Sequence, residues 1–120
     1  MANNFKNLEV WKISMELAEE IYMISRKLPK EEIYGITSQL RRCAVSIPSN
    51  IAEGSGRRSA KDFIRFLNIA TGSLSELETQ LILCEKFKYI SNVDTENANK
   101  LISRVGMMLT KLRQSLDDKR

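Results

Sequence analysis

Residues 59–89, SAKDFIRFLNIATGSLSELETQLILCEKFKY, form the longest periodic stretch of the chain and decide its fold. Seven apolar residues recur there at alternating steps of four and three: Phe63, Leu67, Ala70, Leu74, Leu77, Leu81 and Cys84. This spacing places all seven on one stripe of an α-helix, close to a coiled-coil seam. Ser59 is a suitable N-cap, and Asp62 follows it by three residues. A helix of this kind is stable only when other helices cover its stripe.

Three further segments carry an apolar row of the same helical type. The rows are Val10, Ile13, Leu17, Ile21, Ile24 and Leu28; then Ile36, Leu40, Cys43, Ala44, Ile47 and Ile51; then Ala98, Ile102, Val105, Leu109, Leu112 and Leu116. We therefore predict four helices, at about residues 8–28, 37–53, 59–89 and 94–116, in a single domain that spans residues 1–120. The short connections favour an all-α, up-down-up-down antiparallel four-helix bundle.

Prolines, glycines and a capping residue predict where these helices end or approach one another. Pro29 should end the first helix, Gly54 should end the second as a left-handed cap, and Asp94 should cap the fourth. Gly72 and its neighbour Ser73 lie in the middle of the third helix. Small residues at such positions predict the close approach of another backbone.

Pro48 lies inside the apolar row of the second helix. Its ring clashes with the carbonyl of Ala44 and it lacks an N–H donor, so the helix either kinks there or breaks and restarts. The apolar row keeps its register from Ala44 to Ile51 across the proline. This continuity favours a kink.

Composition limits the chemistry of the chain. Its 120 residues are 42% hydrophobic and 28% charged, which is typical of a globular protein. It contains no histidine, the commonest general base and a frequent zinc ligand. We therefore expect no catalytic residues, no metal and no cofactor. The two cysteines, Cys43 and Cys84, have core spacing and are expected to be small buried side chains, with a disulfide as the alternative.

The hydropathy pattern contains no apolar run of about 20 residues, the length of a membrane span. The first residues, Met1-Ala2-Asn3-Asn4-Phe5-Lys6, are polar and lack the apolar region of a signal peptide. We therefore expect a cytoplasmic protein without a membrane partner.

The net charge of +4 is concentrated between residues 41 and 65. That stretch holds six basic residues, namely Arg41, Arg42, Arg57, Arg58, Lys61 and Arg65. Only Glu53 and Asp62 oppose them, and the remaining 13 basic and 13 acidic residues balance. A local excess of positive charge attracts polyanions, so the six residues are candidates for nucleic-acid contacts. The alternative is a solvated basic face.

Several apolar residues lie beside or behind the seam of the third helix. They are Ile64, Phe66, Ile69 and Ile82. Surplus apolar faces on a small bundle favour self-association. Scattered surface apolar residues are the alternative interpretation.

Five stretches of the chain form a recognisable set of motifs: residues 7–12 (NLEVWK), 34–42 (YGITSQLRR), 47–54 (IPSNIAEG), 66–70 (FLNIA, with Phe63 before it) and 72–81 (GSLSELETQL). Together they resemble the family of bacterial 23S rRNA intervening-sequence proteins. The resemblance implies an up-down bundle. A relative of this family, the accessory protein of diversity-generating retroelements, is a ring-like pentamer that binds nucleic acid and a reverse transcriptase. The resemblance thus implies a homo-oligomeric ring, with five subunits, and offers no catalytic residues to transfer.

The family motif residues in this chain are Pro48, Ser49, Asn50, Glu53, Gly54, Ser73 and Glu76. Asn50 and Glu53 share one face of the second helix, and an antiparallel third helix would bring Ser73 and Glu76 to a similar height. We predict a polar cluster that fixes register between helices or subunits. A site for a small ligand is the alternative.

These observations favour a non-enzymatic, homo-oligomeric bundle that binds RNA or DNA through its basic residues. A protein–protein adaptor is the second hypothesis, because an apolar or basic face also docks a protein. An enzyme such as a nuclease is the third, and it would need the clustered acidic ligands that the sequence lacks.

Overall fold

The computed structural model describes residues 4–118, which form four α-helices: α1 (Glu9–Ser25), α2 (Ile36–Ser55), α3 (Ala60–Lys86) and α4 (Asn92–Asp118). Helix α1 packs on α2 and α4, and α3 packs on the same two helices. This is the cyclic order of an up-down-up-down bundle, whose extents are 46 × 22 × 20 Å. The predicted all-α fold is confirmed. In the described part of the chain, no helix combines the length and the hydropathy of a membrane span.

The predicted apolar rows form the core of the bundle. Six of the seven stripe residues of α3 are buried, and Phe63 packs against them at the edge. The large aliphatic side chains that are almost completely buried come from all four helices, and they are Leu17, Ile21, Leu40, Ile47, Ile51, Leu67, Leu77, Leu81, Val105 and Leu109. Burial of one such side chain stabilises a fold by roughly 1.5–3 kcal/mol. The shared core therefore fixes how α2 and α3 present their outer faces.

Helix α1 ends three residues earlier than predicted, at Ser25 rather than Leu28. The N–H groups of Lys27 and Leu28 donate to the carbonyls three residues before them, at 2.9 and 3.2 Å. The chain therefore tightens into a 3₁₀-type turn before it reaches Pro29. Leu28 stays buried, so the apolar row extends past the end of the helix.

Serines cap the two helices that follow tight turns. Ser59 accepts a hydrogen bond from the Asp62 N–H at 3.1 Å, as predicted. At α4 the predicted cap is wrong, because Asp94 lies inside the first turn and Ser91 is the capping residue. Ser91 Oγ accepts from the Asp94 N–H at 3.3 Å, and Asp94 Oδ2 accepts from the Ser91 N–H at 2.9 Å. The pair is a reciprocal capping box.

Helix α2 runs from Ile36 to Ser55 without a break at Pro48, so the break-and-restart alternative is wrong. Gly54 is not a left-handed cap, since it lies within this helix and no glycine in residues 4–118 has a positive φ. A Cβ on Gly54 would instead lie 2.7 Å from Phe66 Cβ and 2.9 Å from Phe63 Cδ1. The absence of a side chain at Gly54 therefore lets α2 and α3 approach each other.

The expectation of a close backbone at Gly72 is wrong. A Cβ there would meet no atom within 4 Å, because Gly72 faces outward on α3. Its neighbour Ser73 is the residue that faces α2, and it is buried. The small residue that the packing uses is therefore the serine.

An ion pair joins the end of α1 to the start of α4 and should make stability depend on pH. Lys27 Nζ donates to Asp94 Oδ1 at 2.6 Å, and this bond, with two from Ser91, lowers the pKa of Asp94 from 3.8 to about 2. A carboxyl whose pKa is depressed by folding stabilises the fold above its unfolded pKa and loses that contribution as pH falls through its folded pKa. We therefore expect the urea concentration at the midpoint of unfolding to decrease as the pH is lowered from about 4 to about 2.

The variant Asp94→Asn should be less stable at neutral pH and should show a flatter pH dependence in that acid range. Asp118→Asn, at an exposed position near the end of α4, is the control. If Asp94→Asn and the wild type lose stability equally in acid, the acid dependence does not come from the carboxylate of Asp94.

Candidate nucleic-acid interface

The structure divides the six predicted basic residues into two groups. Arg57 and Arg58 lie in the α2–α3 turn, with Lys61 and Arg65 in the first turns of α3; we call these four the turn group. Arg41 and Arg42 lie near the other end of α2. Sixteen residues separate Arg41 from Arg57, which is about 24 Å along a helix. The six basic residues lie in one stretch of the sequence but therefore form two surfaces.

In the turn group, two arginines stack on the ring of Phe66. The guanidinium carbons of Arg57 and Arg65 lie 4.8 and 4.5 Å from the ring centroid. Arg57 Nη2 also contacts Glu53 Oε2 at 2.7 Å, and Arg65 Nη2 contacts Asp62 Oδ1 at 3.0 Å. Stacking and ion pairing hold both guanidinium groups in defined positions. The same carboxylates reduce the positive charge that these two arginines offer to a ligand.

Arg58 and Lys61 are the members of the turn group whose positive charge is not paired with a carboxylate of the described chain. In residues 4–118, no carboxylate oxygen lies within 4 Å of either side chain. A cation without an ion-pair partner in the fold does not have to give up an ion pair when it binds a phosphate. These two residues are therefore the strongest candidates for phosphate contacts in the turn group.

Sequence reasoning missed a basic residue from α4 that joins this surface. Arg113 Nη1 donates to Asn68 Oδ1 at 2.9 Å, across 45 residues of sequence. Two shallow grooves share Ile64 and Asn68, and they run from Lys61 and Arg65 on one side to Arg113 on the other. The antiparallel register of α3 and α4 creates this proximity. The only sequence signal for it was the predicted bundle topology.

Arg41 and Arg42 line a separate groove at the other end of α2. Arg41 Nε donates to Ser25 Oγ at 2.9 Å, and its guanidinium lies 5.1 Å from the centroid of the Tyr22 ring. Arg42 is exposed beside it. Ile33 and Tyr34, from the connection between α1 and α2, line the same groove. This groove combines cations with aromatic rings.

Two of the family motif residues, Asn50 and Ser73, take part in a partly buried polar cluster. Ser73 Oγ lies 2.8 Å from Ser46 Oγ, and Asn50 Nδ2 donates to the Ser46 carbonyl at 2.8 Å and to Ser46 Oγ at 3.0 Å. The structure thus brings Asn50 and Ser73 together through Ser46, which sequence reasoning missed although it precedes Asn50 by one helical turn. The cluster joins α2 to α3 in one register.

The other motif residues stand apart from that cluster. Glu53 pairs with Arg57, Glu76 and Ser49 are exposed, Pro48 is buried against α1, and Gly54 admits α3. The motif therefore serves helix packing at Pro48 and Gly54, and it orders the turn group through Glu53.

Both thiols are buried and unlinked. Burial raises the pKa of Cys43 and raises that of Cys84 to about 11, with the nearby carboxylates of Glu76 and Glu32 adding to the respective shifts. Protonated, buried thiols are poor nucleophiles. Within residues 4–118, no three potential metal-ligating side chains come together.

Comparison with known proteins places this geometry in context. A family model described as 23S rRNA-intervening sequence protein matches residues 6–111. A solved structure of a protein of unknown function, from the S23 ribosomal protein family of Bacteroides thetaiotaomicron VPI-5482, is 28% identical with a TM-score of 0.80. The alignment covers 87% of this chain and 97% of that chain. Among curated proteins, no sequence matches this chain.

Proposed function

Because the chain belongs to the 23S rRNA-intervening sequence protein family, we propose that it acts by binding rather than by catalysis. It is a homo-oligomeric helical bundle of the cytoplasm that binds RNA or DNA through basic surfaces. The observation that carries this function is the turn group, where Arg58 and Lys61 keep their charge beside the ordered pair Arg57 and Arg65. Such a surface recognises phosphates and carries little sequence information.

Oligomerisation would multiply this modest charge. One chain offers four cations in the turn group against Glu53 and Asp62, whereas a ring of subunits repeats the surface around an axis. Exposed apolar side chains support self-association: Met15, Val45, Ile69 and Ile82 are each between 42% and 48% exposed. A second copy would remove this apolar area from water.

A protein–protein adaptor is the second candidate function, and an apolar groove between α1 and α2 favours it. The groove is lined by Trp11, Met15, Ala18, Val45, Pro48, Ser49 and Ala52. It carries no charged side chain among these residues, so it suits an apolar partner surface better than a phosphate chain. Subunit contact and adaptor binding would compete for the same groove.

Titration of labelled RNA and DNA by fluorescence anisotropy, over a range of salt concentrations, tests the proposed function. We expect binding at low salt to oligonucleotides of unrelated sequence, with log Kd rising linearly with log salt concentration. Absence of binding at low salt would overturn the proposal. Capture of a protein partner that survives nuclease treatment and high salt would favour the adaptor instead.

A further inference from the structure

We propose that the groove between the α1–α2 connection and the first turns of α2 binds an unpaired nucleotide. Its base stacks on the ring of Tyr34, and its phosphate is held by Arg41 and Arg42. This inference rests on the proposed function and adds to it a preference for single strands over duplexes. The turn group, about 24 Å away along α2, contacts only phosphates and would not discriminate between the two.

Tyr34 is the first observation that points to a ligand. Its side chain is 95% exposed, the largest fraction among the exposed apolar and aromatic residues of the described chain. In residues 4–118 it takes part in no hydrogen bond or ring contact, so burial in the fold does not account for an aromatic residue at this position. Ile33 beside it is 45% exposed. Together they present an aromatic and apolar platform at the edge of a concave surface.

Helix α2 supplies two cations to the groove, Arg41 and Arg42, and Arg41 is ordered. Arg41 is held from two sides, by the Ser25 hydroxyl at 2.9 Å and by the Tyr22 ring, whose centroid is 5.1 Å away. The bond to Ser25 uses the Nε–H, and a guanidinium has four further N–H donors for a phosphate. Holding Arg41 in place before binding reduces the entropy lost when it contacts a phosphate.

The electrostatics of the groove favour a polyanion over an acidic or neutral peptide segment. Arg41 and Arg42 both line it, and no carboxylate is among the lining residues. The connecting segment holds two acids, Glu31 and Glu32, and neither lines the groove. The carboxylate of Glu32 accepts hydrogen bonds from Tyr89 Oη at 2.8 Å and from the Ile36 N–H at 3.4 Å. Aromatic rings that alternate with arginines are the recurring means of binding single strands.

Stacking on Tyr34 requires a base whose face is open. In a duplex, both faces of each base are covered by its neighbours, whereas bases in single strands can be splayed onto an aromatic ring. The ring accepts any base, because every base has a π face. The groove therefore selects unpaired nucleotides without reading their sequence.

The test uses the full-length chain with oligothymidylate or oligouridylate that carries one 2-aminopurine, and a duplex of matched length. Tyr34→Ala and Tyr34→Leu should weaken single-strand binding about fivefold or more, which is the lower end of the effect of losing one base–aromatic stack. Both variants should bind the duplex as the wild type does. Tyr34→Trp should retain single-strand affinity. Quenching of 2-aminopurine fluorescence on binding should occur with wild type and be lost in Tyr34→Ala.

Phe87→Ala is the matched control, because Phe87 is a 52% exposed aromatic residue outside the groove. Its replacement should change neither affinity nor quenching. If wild type binds nucleic acid but Tyr34→Ala binds single strands and quenches as wild type does, the stacking site is overturned and the proposed function stands. If Tyr34→Ala weakens single strands and duplexes equally, stacking is also overturned. If wild type binds neither probe, both proposals fail.

Discussion

Replacing Gly54 with alanine should destabilise the bundle by about 2 kcal/mol, the typical cost of overpacking a well-packed site. The new Cβ would lie 2.7 Å from Phe66 Cβ, 2.9 Å from Phe63 Cδ1 and 3.3 Å from the Phe63 carbonyl oxygen. Rotation of a side chain cannot relieve the contacts with a Cβ and a carbonyl, so α2 and α3 would have to move apart. That movement loosens the core between them and outweighs the roughly 1 kcal/mol by which alanine favours a helix over glycine.

Gly72→Ala is the control for this effect. The same substitution there meets no atom within 4 Å on the outer face of α3, so helix propensity alone should act. We expect Gly72→Ala to stabilise the protein by up to about 1 kcal/mol in urea unfolding. Similar unfolding free energies for the two variants would contradict the close approach of α2 and α3 at Gly54.

Replacing Arg58 and Lys61 together with alanine should weaken nucleic-acid binding about tenfold or more at low salt. Each phosphate contact contributes about 0.7–0.9 to the slope of log K against log salt concentration, so the loss of two contacts should flatten that slope by about 1.5. Both side chains are exposed and lack a carboxylate partner in residues 4–118, so the fold should tolerate the change. Anisotropy titrations at several salt concentrations measure both quantities.

Lys100→Ala with Arg104→Ala provides the matched control. It also removes two positive charges, but from exposed positions on α4 that lie away from the α2–α3 turn. Affinity and slope should stay close to those of the wild type. If the two double variants lose affinity equally, net charge rather than the turn group governs binding.

The apolar rows were predictable from the sequence because the burial of a helix face has a local signature. Every third or fourth residue from Val10 to Leu28 repeats on one face, and the structure buries that row. Boundaries were less predictable, since competing hydrogen bonds decide them. Ser91 and Asp94 both have the chemistry of a cap, and only their reciprocal bonds show that the serine is the capping residue.

Contacts between helices were largely beyond sequence reasoning. Glycine is typical both of a left-handed helix cap and of a close helix crossing. Only the short distance between Gly54 and Phe66 shows that Gly54 serves the second purpose. Ser46 joined the polar cluster through Ser73, which lies 27 residues away. Arg113 reached the basic surface through the register of α3 and α4. In each case the missing information was the position of a residue on another helix.

The basic stretch shows both sides of this limit. Its six cations were visible as a local excess of charge, but their division into two surfaces depended on the length of α2 between Arg42 and Arg57. The ion pairs with Glu53 and Asp62 then distinguish Arg57 and Arg65, which are held in place, from Arg58 and Lys61, which have no carboxylate partner in residues 4–118. Sequence spacing alone could not assign those roles.

The central claim, an oligomer that binds nucleic acid through charge, is tested most directly by light-scattering mass with and without a single-stranded RNA. One chain has a mass of 13.8 kDa. We predict a mass several times larger for the protein alone, a further increase when RNA is added at low salt, and reversal of that increase at high salt. A mass of one chain that RNA leaves unchanged at low salt would contradict the claim.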